Sequence, residues 1–193
     1  KRIKTTASKI EKKLGYPCFV KPANAGSSVG ITKAHNKEEL MEGLKVAAVH
    51  DSKIVVEEGI VGREIECAVL GNRGHVEASC VGEIFSAGEF YDYDAKYNNA
   101  ESKTVVPAEI SPEKQDEIRK MAVKVFNAVD GSGLARVDFF VENETENVIF
   151  NELNTLPGFT PISMYSMLWA ACGKSTAELL DNLIELALER FSL

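Results

Sequence analysis

The sequence predicts a mixed α and β protein built as two subdomains, on three observations. Hydrophobic spacing alternates along the chain between the helical and the strand period. The 193 residues, 45% hydrophobic and 26% charged, supply enough apolar material for one domain or two tightly associated subdomains. A break bracketed by Gly59 and Gly62 separates a first part, residues 1–56, from a second, residues 57–193. Lys plus Arg number 22 against 29 Asp plus Glu, a net charge of −7, which excludes a broad nucleic-acid or anionic-membrane surface but leaves room for a local anion site. No apolar run reaches the ~20 residues of a membrane span, and no signal-peptide pattern opens the chain. Cys18, Cys67, Cys80 and Cys172 include no C-x-x-C pair, and His35, His50 and His75 have no metal-ligand spacing. Each cysteine has apolar neighbours in sequence and reads as a buried thiol, which favours a reducing compartment.

Ile3, Ala7, Ile10 and Leu14 mark one face of a first helix, ended by Gly15 and Pro17. Cys18 to Lys21 is a short strand. A small-residue loop from Ala23 to Ser28 leads to a second strand, Val29 to Ala34. Asn36, with Glu39 three residues on, caps a helix that buries Leu40, Leu44, Ala47 and Ala48. Lys53 to Glu58 is again a strand, and Arg63 to Phe85 is strand-rich. Residues 86–103 fit neither pattern and are long for a passive connection. Ser111-Pro112 opens a helix with Ile118, Met121, Ala122, Val125, Phe126 and Val129 in one stripe. Strands Leu134–Glu142 and Val148–Asn154 flank a polar turn. A last helix begins at Ser175, has Glu178 in the capping-box position, and buries Leu180, Leu183, Ile184, Ala187 and Leu188.

The hairpin carries the chemistry. With its turn centred on Thr145, Arg136 faces Asn154 and Asp138 faces Glu152, so all four share one face. Val137, Phe139, Val141, Ile149 and Leu153 take the other, the core side. Two carboxylates and an amide oxygen suit a hard divalent cation such as Mg²⁺. On the hairpin alone, a solvated face on which Arg136 pairs with Asp138 and Glu152 is an equal alternative. The next residues, Thr155-Leu-Pro-Gly-Phe-Thr-Pro161, form a rigid loop whose glycine N–H, like Arg136, can donate to a developing oxyanion, or else an ordinary Pro-Gly turn. Lys21 followed by Gly26-Ser-Ser-Val-Gly30 reads either as a phosphate cradle or as a hairpin turn; it is neither a Walker A loop nor a Rossmann fingerprint. Glu64, after the inter-domain hinge, is a candidate for ribose hydroxyls, and Phe90-Tyr-Asp-Tyr-Asp-Ala-Lys-Tyr97 for a lid that excludes water.

Taken in this order, the chain resembles the ATP-grasp enzymes and, among them, the D-alanine–D-alanine ligase family. The motifs that carry the resemblance are Phe19-Val-Lys-Pro with Gly26-Ser-Ser-Val-Gly30, Val56-Glu-Glu to Gly62-Arg-Glu64, and Phe90 to Tyr97. To these are added Gly133-Leu-Ala-Arg-Val-Asp138 and Asn151-Glu-Leu-Asn-Thr-Leu-Pro-Gly-Phe-Thr160. The resemblance implies an α+β, ATP-grasp fold whose two subdomains, with mainly antiparallel sheets, grip a nucleotide. It further implies that Lys21 and the loop Gly26, Ser27, Ser28 and Val29 contact ATP phosphates, joined by Lys96 from the lid. Glu57, Glu58 and Ile60 line the adenine, Glu64 holds the ribose, and Phe140 and Asn151 belong to the same nucleotide site. Asp138, Glu152 and Asn154 bind two Mg²⁺ ions, which Mn²⁺ can replace. Arg136 and the Gly158 N–H stabilise the tetrahedral intermediate, Ser163 and Met164 receive the second substrate's carboxylate, and Ser27 with Tyr97 belong to the network around it.

The implied reaction has two steps. ATP phosphorylates the carboxylate of one D-alanine, and the amine of a second attacks the acylphosphate, releasing phosphate and the dipeptide used for peptidoglycan. The family carries an N-terminal domain that binds the first D-alanine, and nothing before Lys1 supplies it. The expectation is therefore a truncated ligase that makes no dipeptide alone, belonging to a cytoplasmic, homodimeric bacterial enzyme. The rivals are a D-alanine–D-serine or D-alanine–D-lactate ligase, another ATP-grasp ligase or carboxylase, and a nucleotide-binding module without catalysis.

Overall fold

The computed structural model describes residues 2–26, 28–85 and 103–191. They divide into a unit of residues 2–61 and a unit of residues 62–85 with 103–191.

The first unit runs α1 (Arg2–Leu14), β1 (Cys18–Pro22), β2 (Thr32–Ala34), α2 (Lys37–His50) and β3 (Ile54–Glu58). Its antiparallel sheet has the order β2-β1-β3. Gly15, at φ 72°, ends α1 as its sequence position suggests. The capping box of α2 is present: the Glu39 N–H donates to Asn36 Oδ1 at 2.9 Å, and the Glu39 carboxylate accepts from the His35 N–H at 2.8 Å. That backbone bond holds the Glu39 carboxyl below its ordinary value. Strand alternation sends Cys18, Val20 and Ala34 into a core shared with Ala7, Leu40, Leu44 and Ala47. Ala48 turns outward instead. β3 pairs with β1 as far as Glu57 opposite Phe19 and Glu58 opposite Cys18, so the hinge residues stay with this unit and the division falls after Val61 rather than at residue 57.

The second unit runs β4 (Gly62–Asn72), β5 (His75–Phe85), β6 (Lys103–Val105), α3 (Pro112–Ala128), β7 (Gly133–Glu142), β8 (Val148–Asn154), α4 (Met164–Ala171) and α5 (Thr176–Phe191). The sheet order is β6-β5-β4-β7-β8, all antiparallel. Odd-numbered residues of β4 and β7 (Ile65, Cys67, Val69, Val137, Phe139 and Val141) meet Ile118, Ala122 and Phe126 of α3 and form the main core. Val129, expected on that stripe, is the C-cap of α3 and is exposed. The opposite face carries the even-numbered residues and is partly covered by α4, whose Met164 and Leu168 fill the space that a Gly82 side chain would take. The Ser175–Glu178 capping box of α5 is formed. Only Leu179 of α5 is fully buried, while Leu180, Ile184, Leu188 and Phe191 form an exposed stripe, the reverse of the expected facing. The helix docks through the neighbouring face, with the Leu186 carbonyl accepting from the Asn72 side chain at 2.8 Å.

Candidate active site

The even-numbered face of the second sheet presents three rows, set by register. Glu64 lies opposite Phe140, which lies opposite Ile149; Glu66 lies opposite Asp138, which lies opposite Glu152; Ala68 lies opposite Arg136, which lies opposite Asn154. The Asp138–Glu152 and Arg136–Asn154 pairings are those expected from a turn at Thr145. The register then slips by one between Asp138 and Phe139, leaving Asn151 as the extra residue of a bulge. The slip moves Ile149 off the core side to the row of Glu64 and Phe140, and brings Phe150 edge-on to Phe139.

The middle rows are tightly connected. Arg136 donates from Nε to Asp138 Oδ1 at 2.8 Å and from a terminal nitrogen to Oδ2 at 2.7 Å. The same Nε lies 3.1 Å from Glu66 Oε2. Burial alone would favour a neutral Arg136, but the hydrogen bonds to Asp138 and the charges of Glu66, Asp138 and Glu152 outweigh it and hold the guanidinium above its ordinary value. Asn154 donates one side-chain amide group to both carboxylates, at 3.0 Å to Asp138 and 3.2 Å to Glu152. The pairing of Arg136 with Asp138 is therefore real, but it is not solvated: Asp138 is 8% exposed and Glu66 6%.

Glu66 is the residue that the sequence reading missed. It alternates with Glu64 along β4, and only the pairing of β4 with β7 places it beside Asp138.

Among the described residues, no group of three or more His, Cys, Asp or Glu side chains is arranged to hold a metal. The donor set that fits one is smaller, Asp138, Glu152 and the Asn154 amide. The amide nitrogen bridges the two carboxylates, and turning the amide over would present its oxygen at the same place. Two carboxylate groups and an amide oxygen are the hard donors that Mg²⁺ takes, with phosphate oxygens and water completing its shell. Glu66 lies on the other side of this set, paired with the Arg136 guanidinium.

Beyond β8, Gly158 lies against Ser163: a Cβ there would come within 2.9 Å of Ser163 Oγ. Ser163 precedes α4 but leaves its N-terminal N–H groups uncapped by its side chain, its Oγ accepting instead from the Thr160 N–H at 3.1 Å. The Met164 side chain is buried, so what Met164 offers a ligand is its backbone N–H in the first turn of α4, a position that favours a carboxylate.

In the first unit, Lys21 Nζ lies 2.5 Å from Glu57 Oε2. Phe19, Lys21 and Glu57 share the sheet face away from the helices, and register sends Glu58 to the other. The loop after β1 is anchored by Asn24, which donates twice to Asp51 Oδ2, at 2.8 and 2.7 Å. Ser28 and Gly30 take left-handed φ values of 60° and 74°, and a side chain at Gly30 would strike His50. Gly26 and Val29 close a turn through a 3.2 Å backbone bond. Ile60 is half-buried beyond β3. Ser27, Lys96 and Tyr97 lie outside the described residues.

A family model described as "D-ala D-ala ligase C-terminus" matches residues 1–185. The chain belongs to the D-alanine–D-alanine ligase family. A D-alanine–D-alanine ligase of Acetivibrio thermocellus is 56% identical over 190 residues, 98% of this chain and 50% of the relative. D-alanine–D-alanine ligase B of Clostridium tetani is 58% identical over 176 residues, 91% of this chain and 49% of the relative. The solved D-alanine–D-alanine ligase of Coxiella burnetii superimposes with a TM-score of 0.84 at 37% identity, covering 97% of this chain and 49% of the other. The VanG D-Ala:D-Ser ligase of Enterococcus faecalis gives 0.85 at 41% identity, covering 94% and 52%. The fold is the α+β ATP-grasp fold of these ligases. The chain spans about half the length of the curated relatives it matches. Among the described residues, no helix is long and apolar enough to cross a membrane.

Proposed function

We propose that this D-alanine–D-alanine ligase family chain is the nucleotide- and metal-binding part of an enzyme that joins two D-alanine molecules at the expense of ATP. The observation that carries the reading is the row of buried Glu66, buried Asp138 and exposed Glu152, with Arg136 and Asn154 beside it on one sheet face. Bound magnesium ions would neutralise phosphate oxygens there, and the family resemblance gives two. Asp138, Glu152 and Asn154 hold the cation. Arg136, fixed along one edge by Asp138 and Glu66, keeps its other N–H groups for negative charge developing on a transferring acyl or phosphoryl group. The Gly158 N–H serves the same oxyanion, and Ser163 with the first turn of α4 receives the attacking amino acid's carboxylate. Lys21 and the loop of Gly26 to Val29 bind the phosphates. Glu57, Glu58 and Ile60 bind the adenine, Phe140 and Asn151 its surroundings, and Glu64 the ribose. Lys96, Ser27 and Tyr97 complete the set.

D-alanine is favoured over D-serine as second substrate by the 56–58% identity to curated D-alanine–D-alanine ligases; the solved structures do not separate the two, with 37% identity to a D-alanine–D-alanine ligase and 41% to the D-Ala:D-Ser ligase. The first-substrate site is assigned to the N-terminal half that the relatives carry. Joined to that half of the Acetivibrio thermocellus relative, the chain is expected to release phosphate from ATP only with D-alanine present, and to form the dipeptide. D-serine-dependent release with no response to D-alanine would overturn the substrate assignment, and no response to either would overturn the ligase.

Lys21→Met is expected to weaken ATP binding about tenfold by removing one charge-assisted contact. It should shift unfolding by less than ~1 kcal/mol, because the Lys21–Glu57 pair is partly exposed. Calorimetric titration and urea unfolding separate the two effects.

A further inference from the structure

Two of the four cysteines, 92 positions apart in sequence, meet on the second unit, where neither belongs to the carboxylate row of the candidate site. Cys80 stands in β5 where two residues, Ser79 and Cys80, oppose the single Ala68 of β4. Such a bulge re-aims side chains. Cys172 is the C-cap of α4, held by its N–H to the Leu168 and Trp169 carbonyls. The Cys80 N–H donates to Cys172 Sγ at 3.0 Å, and the Cys80 thiol donates to the Leu168 carbonyl at 3.4 Å. With an N–Cα bond of ~1.5 Å, Cys172 Sγ is within about 4.5 Å of the Cys80 Cα, close enough for rotation of the Cys80 side chain to bring the two sulfurs together. Contrary to the sequence expectation, Cys172 is exposed and Cys80 half-buried, whereas Cys18 and Cys67 are buried. Both open onto a cavity of about 340 Å³ lined also by Pro112, Gln115, Asp116 and Arg119. The cavity gives a small reagent access.

We propose that Cys80 and Cys172 are a reversible disulfide site, oxidised by exchange with a disulfide of low-molecular-weight thiols. The exposed Cys172 thiolate attacks one sulfur of the small disulfide. That S–S bond breaks, one small thiolate leaves and takes up a proton, and a mixed disulfide remains on Cys172. The Cys80 thiolate then attacks Cys172 Sγ and expels the second small thiol. Two protein thiols are oxidised, one small disulfide is reduced to two thiols, and the atoms balance. Burial pushes the Cys80 thiol up to about 12, so the second step is the slower one. The product ties the C-terminus of α4 to β5. The inference rests on these two residues alone and stands whatever the chain ligates.

The test is incubation of the folded, reduced chain with oxidised glutathione, followed by acid quench, denaturation, alkylation and peptide mapping without reductant. The expected wild-type product is lighter by two hydrogens, contains a linked Cys80–Cys172 peptide pair, leaves only Cys18 and Cys67 to alkylate, and reverts with dithiothreitol. Cys80→Ser is expected to stop at one glutathione on Cys172, and Cys172→Ser to give no linked peptide. The proposal is overturned if all four wild-type thiols remain open to alkylation. It is equally overturned if the wild type retains glutathione on Cys172 to the same extent as Cys80→Ser.

Discussion

Arg136→Met is expected to destabilise the second unit by about 3 kcal/mol, read as a lower urea midpoint. Methionine keeps much of the apolar stem but leaves Glu66 and Asp138, each less than a tenth exposed, without their shared cation. A buried carboxylate that loses its counter-charge costs far more than an exposed ion pair is worth. Adding Glu66→Gln should recover part of the loss, because one of the stranded charges is then removed. A solvated Arg136–Asp138 pair, the alternative left open by the sequence, predicts a loss below ~1 kcal/mol and no recovery. Any nucleotide binding that survives in Arg136→Met separates the residue's structural contribution from its electrostatic one.

Tyr165→Ala is expected to cost about 4 kcal/mol, since truncation of a fully buried aromatic side chain removes its contacts and leaves a cavity. Tyr165 is the largest fully buried side chain among the described residues, and it pins α4 to the sheet by donating from its hydroxyl to the Val69 carbonyl at 3.1 Å. Its ring also lies 5.8 Å from that of Phe159, in the loop that carries Gly158. Burial holds its phenol above the ordinary value, so it stays neutral. Tyr165→Phe should cost only about 1 kcal/mol, the net value of one hydrogen bond. Denaturant unfolding of the two variants separates packing from the hydrogen bond. The alanine variant is also expected to loosen Ser163 and Gly158, which depend on α4 and its approach loop.

Local signals made much of this legible. Asn36 with Glu39 and Ser175 with Glu178 announced their helix starts, because a cap involves residues only three apart. The turn at Thr145 placed Arg136, Asp138, Glu152 and Asn154 on one face, because strand alternation needs no tertiary information over so short a hairpin. What failed depended on distant partners. The bulge at Asn151 is one residue with no composition signal, and it displaced Ile149. Glu66 joins the site only because β4 pairs with β7, some seventy residues later in the chain. The α4 helix is apolar on nearly every side, so it shows no stripe to read. The facing of α5 was inverted because its sequence offers two apolar stripes, and only docking against the sheet chooses between Leu179 and Leu180.

The central claim, that the β7–β8 hairpin places a nucleotide-bound metal, is tested most directly by calorimetric titration of the chain with ATP, with and without magnesium, beside an Asp138→Ala, Glu152→Ala variant shown to be folded. The account predicts magnesium-dependent binding by the wild type that the variant loses. Binding of equal strength in the variant, or binding indifferent to magnesium, would contradict it.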